Sequence, residues 1–568
     1  MKYERLGDLL VDAGEITEEQ LAKALTLQKD THQRLGEALI SAGIITERQL
    51  IEALQAQLGI DYIDLSQAEI DPALTKLVPR NLAKRHSMVP VKVRGDELYL
   101  AMVDPLNFRA QEEARNAAHR RIVPMISTQV GVNHAISSLY GTEGARRAIR
   151  EMQQENERGE HVYGAYNLAP SASDIDEERE GQTPTVRLVD NIIERGISER
   201  ASDIHIEPQE DSVRVRMRID GVLREEYEIP KELQQSLTSR IKIMCDMDVT
   251  ERRTPQDGSA IVRLRAKEAD LRVSTLPTVY GEMIVIRILD RSSQLETPEE
   301  LGFYGDNLEK YFKLIEVPQG VILLVGPTGS GKSSTMFTML SELNTEQVNI
   351  ITLEDPVEYS LRGITQVQVD ERVGMTFAQG LRSALRQDPD IISVGEIRDS
   401  ETAGIAMRAA VTGHLVISTV HSSSALATFD RLFDIGVEPY VQAAALRGII
   451  SQRLVRRICP SCKEEYVPSE SELISLGLDP AQSKDVRLCR GLGCPECLNT
   501  GFRGRSVVAE VLVVDSEIRA AVRSGDFQRV KKAVADSGFS PIENNARELV
   551  LSGVTTLEEA LSAVSSIE

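Results

Sequence analysis

Tryptophan is absent, and rings make up only 4% of the 568 positions. A chain so poor in aromatics has little with which to stack bases, and its formal charge of −22 repels phosphate backbones, so both argue against a nucleic-acid binder or translocase. The same charge argues against docking on anionic lipid by electrostatics alone and leaves protein partners as the expectation. No run approaches 18 consecutive apolar residues, and the opening Met-Lys-Tyr-Glu-Arg-Leu-Gly-Asp has no apolar stretch to direct export, so the expected compartment is the cytoplasm. Cysteine is scarce, at six residues. Four of them form two CxxC pairs, which suits a metal in a reducing compartment better than a disulfide framework.

What is present is a chain long enough for three or four domains with an ordinary 41% hydrophobic content. Its first 57 residues contain a repeat: Arg5 to Gln28 (RLGDLLVDAGEITEEQLAKALTLQ) and Arg34 to Gln57 (RLGEALISAGIITERQLIEALQAQ). Leucines fall at helical spacing on both sides of Gly14 and Gly43, and Thr17 and Thr46 stand where a second helix would be capped. Each unit therefore reads as a helical hairpin, and two hairpins can bury one another. From about 60 to 140, strand-like segments (Pro90–Val93, Leu98–Met102) alternate with helical ones, giving a small α/β subdomain. Residues 146–182 turn charged and polar and read as a linker. Between 183 and 295, a helix around Val186–Gly196 precedes alternating strands such as Val213–Ile219 and Asp270–Thr275, which predicts a separate α+β domain. From 296 onward strand–helix alternation predicts a parallel sheet covered by helices, a RecA-like core, and the whole chain is multidomain α/β.

The strongest motif is Gly326-Pro327-Thr328-Gly329-Ser330-Gly331-Lys332-Ser333, followed by Ser334 and preceded by the apolar run Val321–Val325. The glycines let backbone N–H groups close around a phosphate, Lys332 reaches β- and γ-oxygens, Ser333 can hold magnesium, and a helix beginning at Lys332 adds its positive N-terminus. This is an ATP site. Ile391–Val394 delivers Glu396 at a strand end, where it would polarise the attacking water or hold the metal's hydration shell. Ile350–Leu353 delivers a second acidic group, Glu354, Asp355 and Glu358, and the sequence leaves open which acid is the base. His421, after Leu415–Val420, is a further polar group at a strand end. Cys459/Cys462 and Cys494/Cys497 form two knuckles with 31 residues between them, the donor set of a structural zinc site. Cys489 lies outside that spacing, and Cys245 reads as a core residue in a helix.

GPTGSGKS, ITLEDPVE, RQDPDIISVGEIRD and TGHLVISTVHSSSA, in that order, closely resemble the PilB/GspE secretion-ATPase family over residues 183–568. The resemblance implies a hexameric motor working on an inner-membrane platform protein, held at the inner face of the membrane through protein contacts. It implies an ATP site lined by Glu396, Glu354, Glu358 and His421, and completed by Arg272 and Arg287 of the preceding, PAS-like domain at 183–295. A cationic fork beside the γ-phosphate suits that role by stabilising charge that develops on transfer. Arg398 and Arg431 are second-tier candidates, and Ser259 departs from the arginine often found after PQDG. Retraction motors of the superfamily generally lack the tetracysteine element and the N-terminal extension, so their presence favours an assembly or secretion motor; the expectation is pilus assembly, with a type II secretion ATPase of the same chemistry as the alternative.

The N-terminal repeats resemble the MshEN domain (1–145), which implies cyclic di-GMP bound by Arg5, Leu6, Gly7, Leu10 and Gly14 of one unit and Arg34, Leu35, Gly36, Leu39 and Gly43 of the other. Glu15 departs from the motif's apolar residue. A reading of another class makes the chain chiefly a cyclic di-GMP sensor, against which Lys332, Ser333 and Glu396 stand intact.

Overall fold

The computed structural model describes residues 60–129, 183–290 and 296–565 apart from a few single positions, together with scattered residues of 10–55 and 131–174. Two compact units result, one from residues 1–290 with 494–499 and the other from 291–493 with 500–568.

In the first unit, Leu10 and Ile16 of one repeat and their counterparts Leu39 and Ile45 of the other share a buried apolar cluster. The two repeats thus meet, as their leucine spacing predicts. Thr17 caps a helix as expected: its Oγ1 accepts from the Gln20 N–H at 3.3 Å, and its own N–H donates to Gln20 Oε1 at 2.8 Å. Thr46 lies outside the described residues, as do Arg5, Leu6, Gly7, Gly14, Glu15, Arg34, Leu35, Gly36 and Gly43. Three strands follow, β1 (Met88–Arg94), β2 (Glu97–Met102) and β3 (Arg121–Ile126), with β2 central. Helix α1 (Phe108–Ala118) packs beside them through Ala110, Ala114 and Ala118, spaced four apart on one face. Most of 146–182 lies outside the described residues.

Residues 183–290 form helix α2 (Pro184–Ser198) and strands β4 (Ala201–Pro208), β5 (Ser212–Ile219) and β6 (Val222–Pro230). Helix α3 (Gln234–Met244) and strands β7 (Gln256–Leu264), β8 (Lys267–Thr278) and β9 (Gly281–Asp290) complete them. The sheet order is β7-β8-β9-β4-β5-β6, with residues 173–174 adding a short edge beside β7. Alternation in β5 is strict: Val213, Val215, Met217 and Ile219 are buried, and Arg214, Arg216 and Arg218 face outward. Cys245 is buried as expected, but at the C-cap of α3, not inside the helix.

The second unit is built on a seven-stranded sheet. Its strands are β10 (Gly320–Val325), β11 (Ile350–Glu354), β12 (Thr365–Gln368), β13 (Ile391–Val394), β14 (Leu415–Val420), β15 (Leu446–Ile458) and, beyond the CxxC region, Phe502–Val513. The order is β12-β11-β13-β14-β10-β15 followed by Phe502–Val513, parallel throughout except for that last, antiparallel strand. Every residue of β10 is buried because both sheet faces are covered. Val321, Leu323 and Val325 point into a core shared with helix Ser400–Val411, whereas Ile322 and Leu324 meet Met336, Phe337, Met339 and Leu340 of helix Lys332–Leu343. Burying a side chain of this size stabilises by about 1.5–3 kcal/mol. The apolar run in the sequence is therefore a central strand, and it fixes where the following loop must lie.

Candidate active site

The carboxyl ends of β10, β11, β13 and β14 gather the loops expected to carry chemistry, the edge at which open α/β sheets bind ligands. After β10, Gly326, Gly329 and Gly331 all have positive φ, at 144°, 79° and 87°. Gly326 is doubly constrained, since a Cβ there would lie 2.5 Å from the Gln452 carbonyl oxygen. Gly331 is the N-cap of helix Lys332–Leu343, whose first turn carries Ser333, half-buried, and Ser334, exposed. Lys332 folds back, its Nζ donating to the carbonyls of Gly326 (2.9 Å) and Pro327 (3.0 Å). Burial pulls its ammonium below the ordinary lysine range, the Glu396 carboxylate opposes that shift, and Arg453 adds to it. Gln452, fully buried on β15, donates from Nε2 to the Ser330 carbonyl at 2.8 Å and braces the loop from behind.

Glu396 is two residues past β13. Its neighbours are fixed by sheet-like bonds, Gly395 N–H to Leu353 O at 2.8 Å and Ile397 N–H to Thr419 O at 3.0 Å. Its carboxylate pairs with Arg398, whose guanidinium it holds above the usual range, and lies 3.6 Å from His421 Nε2. Glu354 at the end of β11 is 4% exposed. Its Oε1 accepts from Thr352 Oγ1 (2.5 Å) and Gln366 Nε2 (2.9 Å), and its Oε2, buried, has no protein partner. A buried carboxylate oxygen without a protein partner, at the sheet edge that also carries the phosphate loop, is suited to a water-mediated contact. Asp355 is exposed and Glu358 half-buried in the next loop. Arg431 is exposed on a helix (Ala427–Asp434). The sequence reading did not find Gln452, Gln366 or Thr352, since nothing in the spacing of a glutamine shows which loop it will brace.

Arg272 and Arg287 face each other across β8 and β9. The row continues in both directions, Ser259–Arg272–Arg287–Asp203–Arg218, through β7, β8, β9, β4 and β5. Like charges placed opposite one another destabilise a sheet. Asp203 offsets this, accepting from Arg287 Nε at 3.1 Å and lying 3.9 Å from Arg218 Nε. Arg287 remains 64% exposed, so its guanidinium is presented on the sheet face.

Leu10 and Leu39 are fully buried in the cluster between the repeats. The sulfurs of Cys459, Cys462, Cys494 and Cys497 lie within 4.8 Å of one another. The N–H of Gly493 donates to Cys462 Sγ at 3.3 Å and that of Cys494 to Cys497 Sγ at 3.1 Å, bonds that stabilise thiolates. Four sulfurs so placed fit a tetrahedral zinc with no open position, the donor set of structural rather than catalytic zinc. Cys489 is buried outside the cluster. One zinc per chain is therefore expected by metal analysis, retained in Cys489→Ser and lost in Cys494→Ser. A zinc-free wild type, or zinc lost with Cys489, overturns the assignment.

Comparison with known proteins bears on these loops. Residues 178–562 match the family described as type II/IV secretion system protein, and residues 58–146 match the MshEN domain. Similar proteins include a type IV pilus assembly ATPase PilB from Thermus thermophilus, 40% identical over 98% of this chain, of whose own length the chain spans 59%. Another, from Myxococcus xanthus, is 39% identical over 98% of both chains. A type II secretion system protein E from Pseudomonas aeruginosa is 40% identical over 85% of this chain and 95% of its own. Among solved structures, the Yersinia pseudotuberculosis ATPase DotB aligns with a TM-score of 0.52 at 20% identity, over 71% of this chain and all of that one, a likeness of fold. No helix among the described residues is long and apolar enough to cross a membrane.

Proposed function

The chain belongs to the type II/IV secretion system protein family, and we propose that it is a cytoplasmic, homohexameric motor ATPase that powers type IV pilus extension. The observation that carries this reading is the gathering of the phosphate loop, Glu354, Glu396 and His421 at one sheet edge. On binding ATP, Lys332 exchanges the carbonyls of Gly326 and Pro327 for the β- and γ-oxygens, while loop N–H groups cradle the phosphates. Ser333 would hold magnesium, which would supply positive charge against the phosphates. Glu396 would orient the attacking water, the partnerless Oε2 of Glu354 could accept from water at the same sheet edge, and His421 would read the γ-phosphate through Glu396. Arg272 and Arg287 serve as the cations that complete the site in the assembled ring.

Pilus assembly is favoured over type II secretion because the Myxococcus relative matches end to end, whereas the Pseudomonas secretion protein matches 85% of this chain. The motor would work on a membrane platform protein and sit at the inner face through that contact. The MshEN match over residues 58–146 supports cyclic di-GMP as a regulatory ligand; it does not reach the repeats, so Arg5 and Arg34 as phosphate or guanine contacts rest on the repeat motif alone. One strain panel tests both. Deleting the gene should abolish surface pili and leave enzyme secretion intact. Restoring it as Arg34→Ala should give pili whose number no longer responds to cyclic di-GMP, with a purified protein that no longer binds it. Lost secretion with pili retained moves the reading to type II secretion. Full binding by Arg34→Ala removes the ligand assignment.

A further inference from the structure

β15 runs beside β10, with Ser451 opposite Val325, so Gln452 and Arg453 fall level with the first residues of the phosphate loop. Arg453 is only 5% exposed, an unusual place for a guanidinium. Its Nη2 donates to the carbonyl of Ser423 at 2.8 Å, two residues past His421, and its Nη1 donates to the Gln452 carbonyl at 3.0 Å. Nη1 also lies 3.2 Å from where a Cβ on Gly326 would stand, so the guanidinium that bonds the His421 loop sits beside the start of the phosphate loop. The far side of the His421 loop is held by Glu510, 4% exposed, whose Oε1 accepts from Ala425 N–H at 2.7 Å. Glu510 also accepts from the Ile542 N–H at 3.1 Å, and its charge is felt at Arg453. A buried cation and a buried anion thus bracket residues 423–425. An apolar side chain of similar size would fill the space without desolvating a charge, so what the charge supplies is the grip on the two carbonyls.

We propose that Arg453 is a positioning residue that holds the His421 loop in register with the phosphate loop. The proposal rests on the ATPase reading above and adds to it a residue that positions a loop through backbone carbonyls, its charge being felt as well at Lys332. Loss of that register misplaces His421 relative to Glu396, while the phosphate loop keeps its own Gln452 brace. Turnover should therefore suffer more than nucleotide binding.

The test is steady-state ATP turnover together with affinity for a fluorescent ATP analogue, measured on the full chain. Arg453→Met should lower kcat about 10- to 100-fold, the scale of a misplaced catalytic group, with affinity within about threefold of wild type. In a His421→Ala background the same change should cost little more, because both substitutions remove one contribution. Arg453→Lys, which keeps the charge but cannot span two carbonyls, should fall in between, and it decides the matter if the methionine variant does not fold. Unchanged kcat, affinity falling in step with kcat, or losses that multiply in the double variant overturn the proposal. A wild-type chain without ATP turnover instead overturns the reading beneath it.

Discussion

Glu396→Gln should bind ATP nearly as well as wild type and lose turnover by on the order of 10²–10⁴-fold, whereas Lys332→Ala should fail at binding itself. The two separate because the groups do different work at one edge. Lys332 is a partly buried ammonium whose present acceptors are two loop carbonyls. Each charge-assisted bond it makes to a phosphate is worth about 1.5–3 kcal/mol, so truncation weakens binding by at least about 10- to 150-fold, the loss of a single such bond. Glutamine at 396 keeps the size and shape that Arg398 and His421 pack against but removes the charge that orients water. Equilibrium binding of a fluorescent analogue and phosphate release under saturating ATP distinguish them. Near-normal turnover by Glu396→Gln would sink its assignment, and near-normal affinity of Lys332→Ala would remove the phosphate loop from the argument.

The parts of this site that were legible in the sequence are those where one short segment carries its own reason. The glycines of the phosphate loop are required by local φ, the apolar run before them by burial on two sheet faces, and the cysteines by ligand spacing. Glu354 and Glu396 could be placed at one edge because parallel strands with helical crossovers bring all their carboxyl ends together. What the sequence could not show are partners fixed by register between distant strands. Arg453 and Gln452 interrupt an apolar strand, a signal of buried polar work, yet the loops they hold are 30 and 122 residues away. Asp203 is invisible as the counter-charge of Arg287, 84 residues on, until β4 and β9 pair. The resemblance named Leu10 and Leu39 among the ligand contacts without showing that each would be fully buried in a cluster shared by both repeats.

Arg287→Ala should cost assembled hexamers on the order of 10³ in kcat while leaving the melting temperature almost unchanged. The first expectation follows from what a cation at a transferring phosphoryl group contributes when it comes from outside the nucleotide's own domain. The second follows from geometry. Arg287 is 64% exposed, and although Asp203 is buried its carboxylate keeps the Ser202 hydroxyl at 2.8 Å and Arg218 at 3.9 Å, so the lost bond costs about 1 kcal/mol. Removing it also relieves the repulsion from Arg272 directly opposite, which offsets part of that loss. A residue kept only to balance the sheet would therefore show a small effect in both measurements, and a residue kept for catalysis a large one in turnover alone. Arg287→Lys distinguishes further, because a lysine retains the charge but not the fork and should recover only part of the rate. If ring assembly is what delivers these cations, turnover per subunit must also rise with protein concentration and level off once hexamers predominate. Equal rates in dilute monomers and isolated hexamers, or a harmless Arg287→Ala in hexamers, would leave the arginine row as a solvated sheet face whose charge is balanced by Asp203.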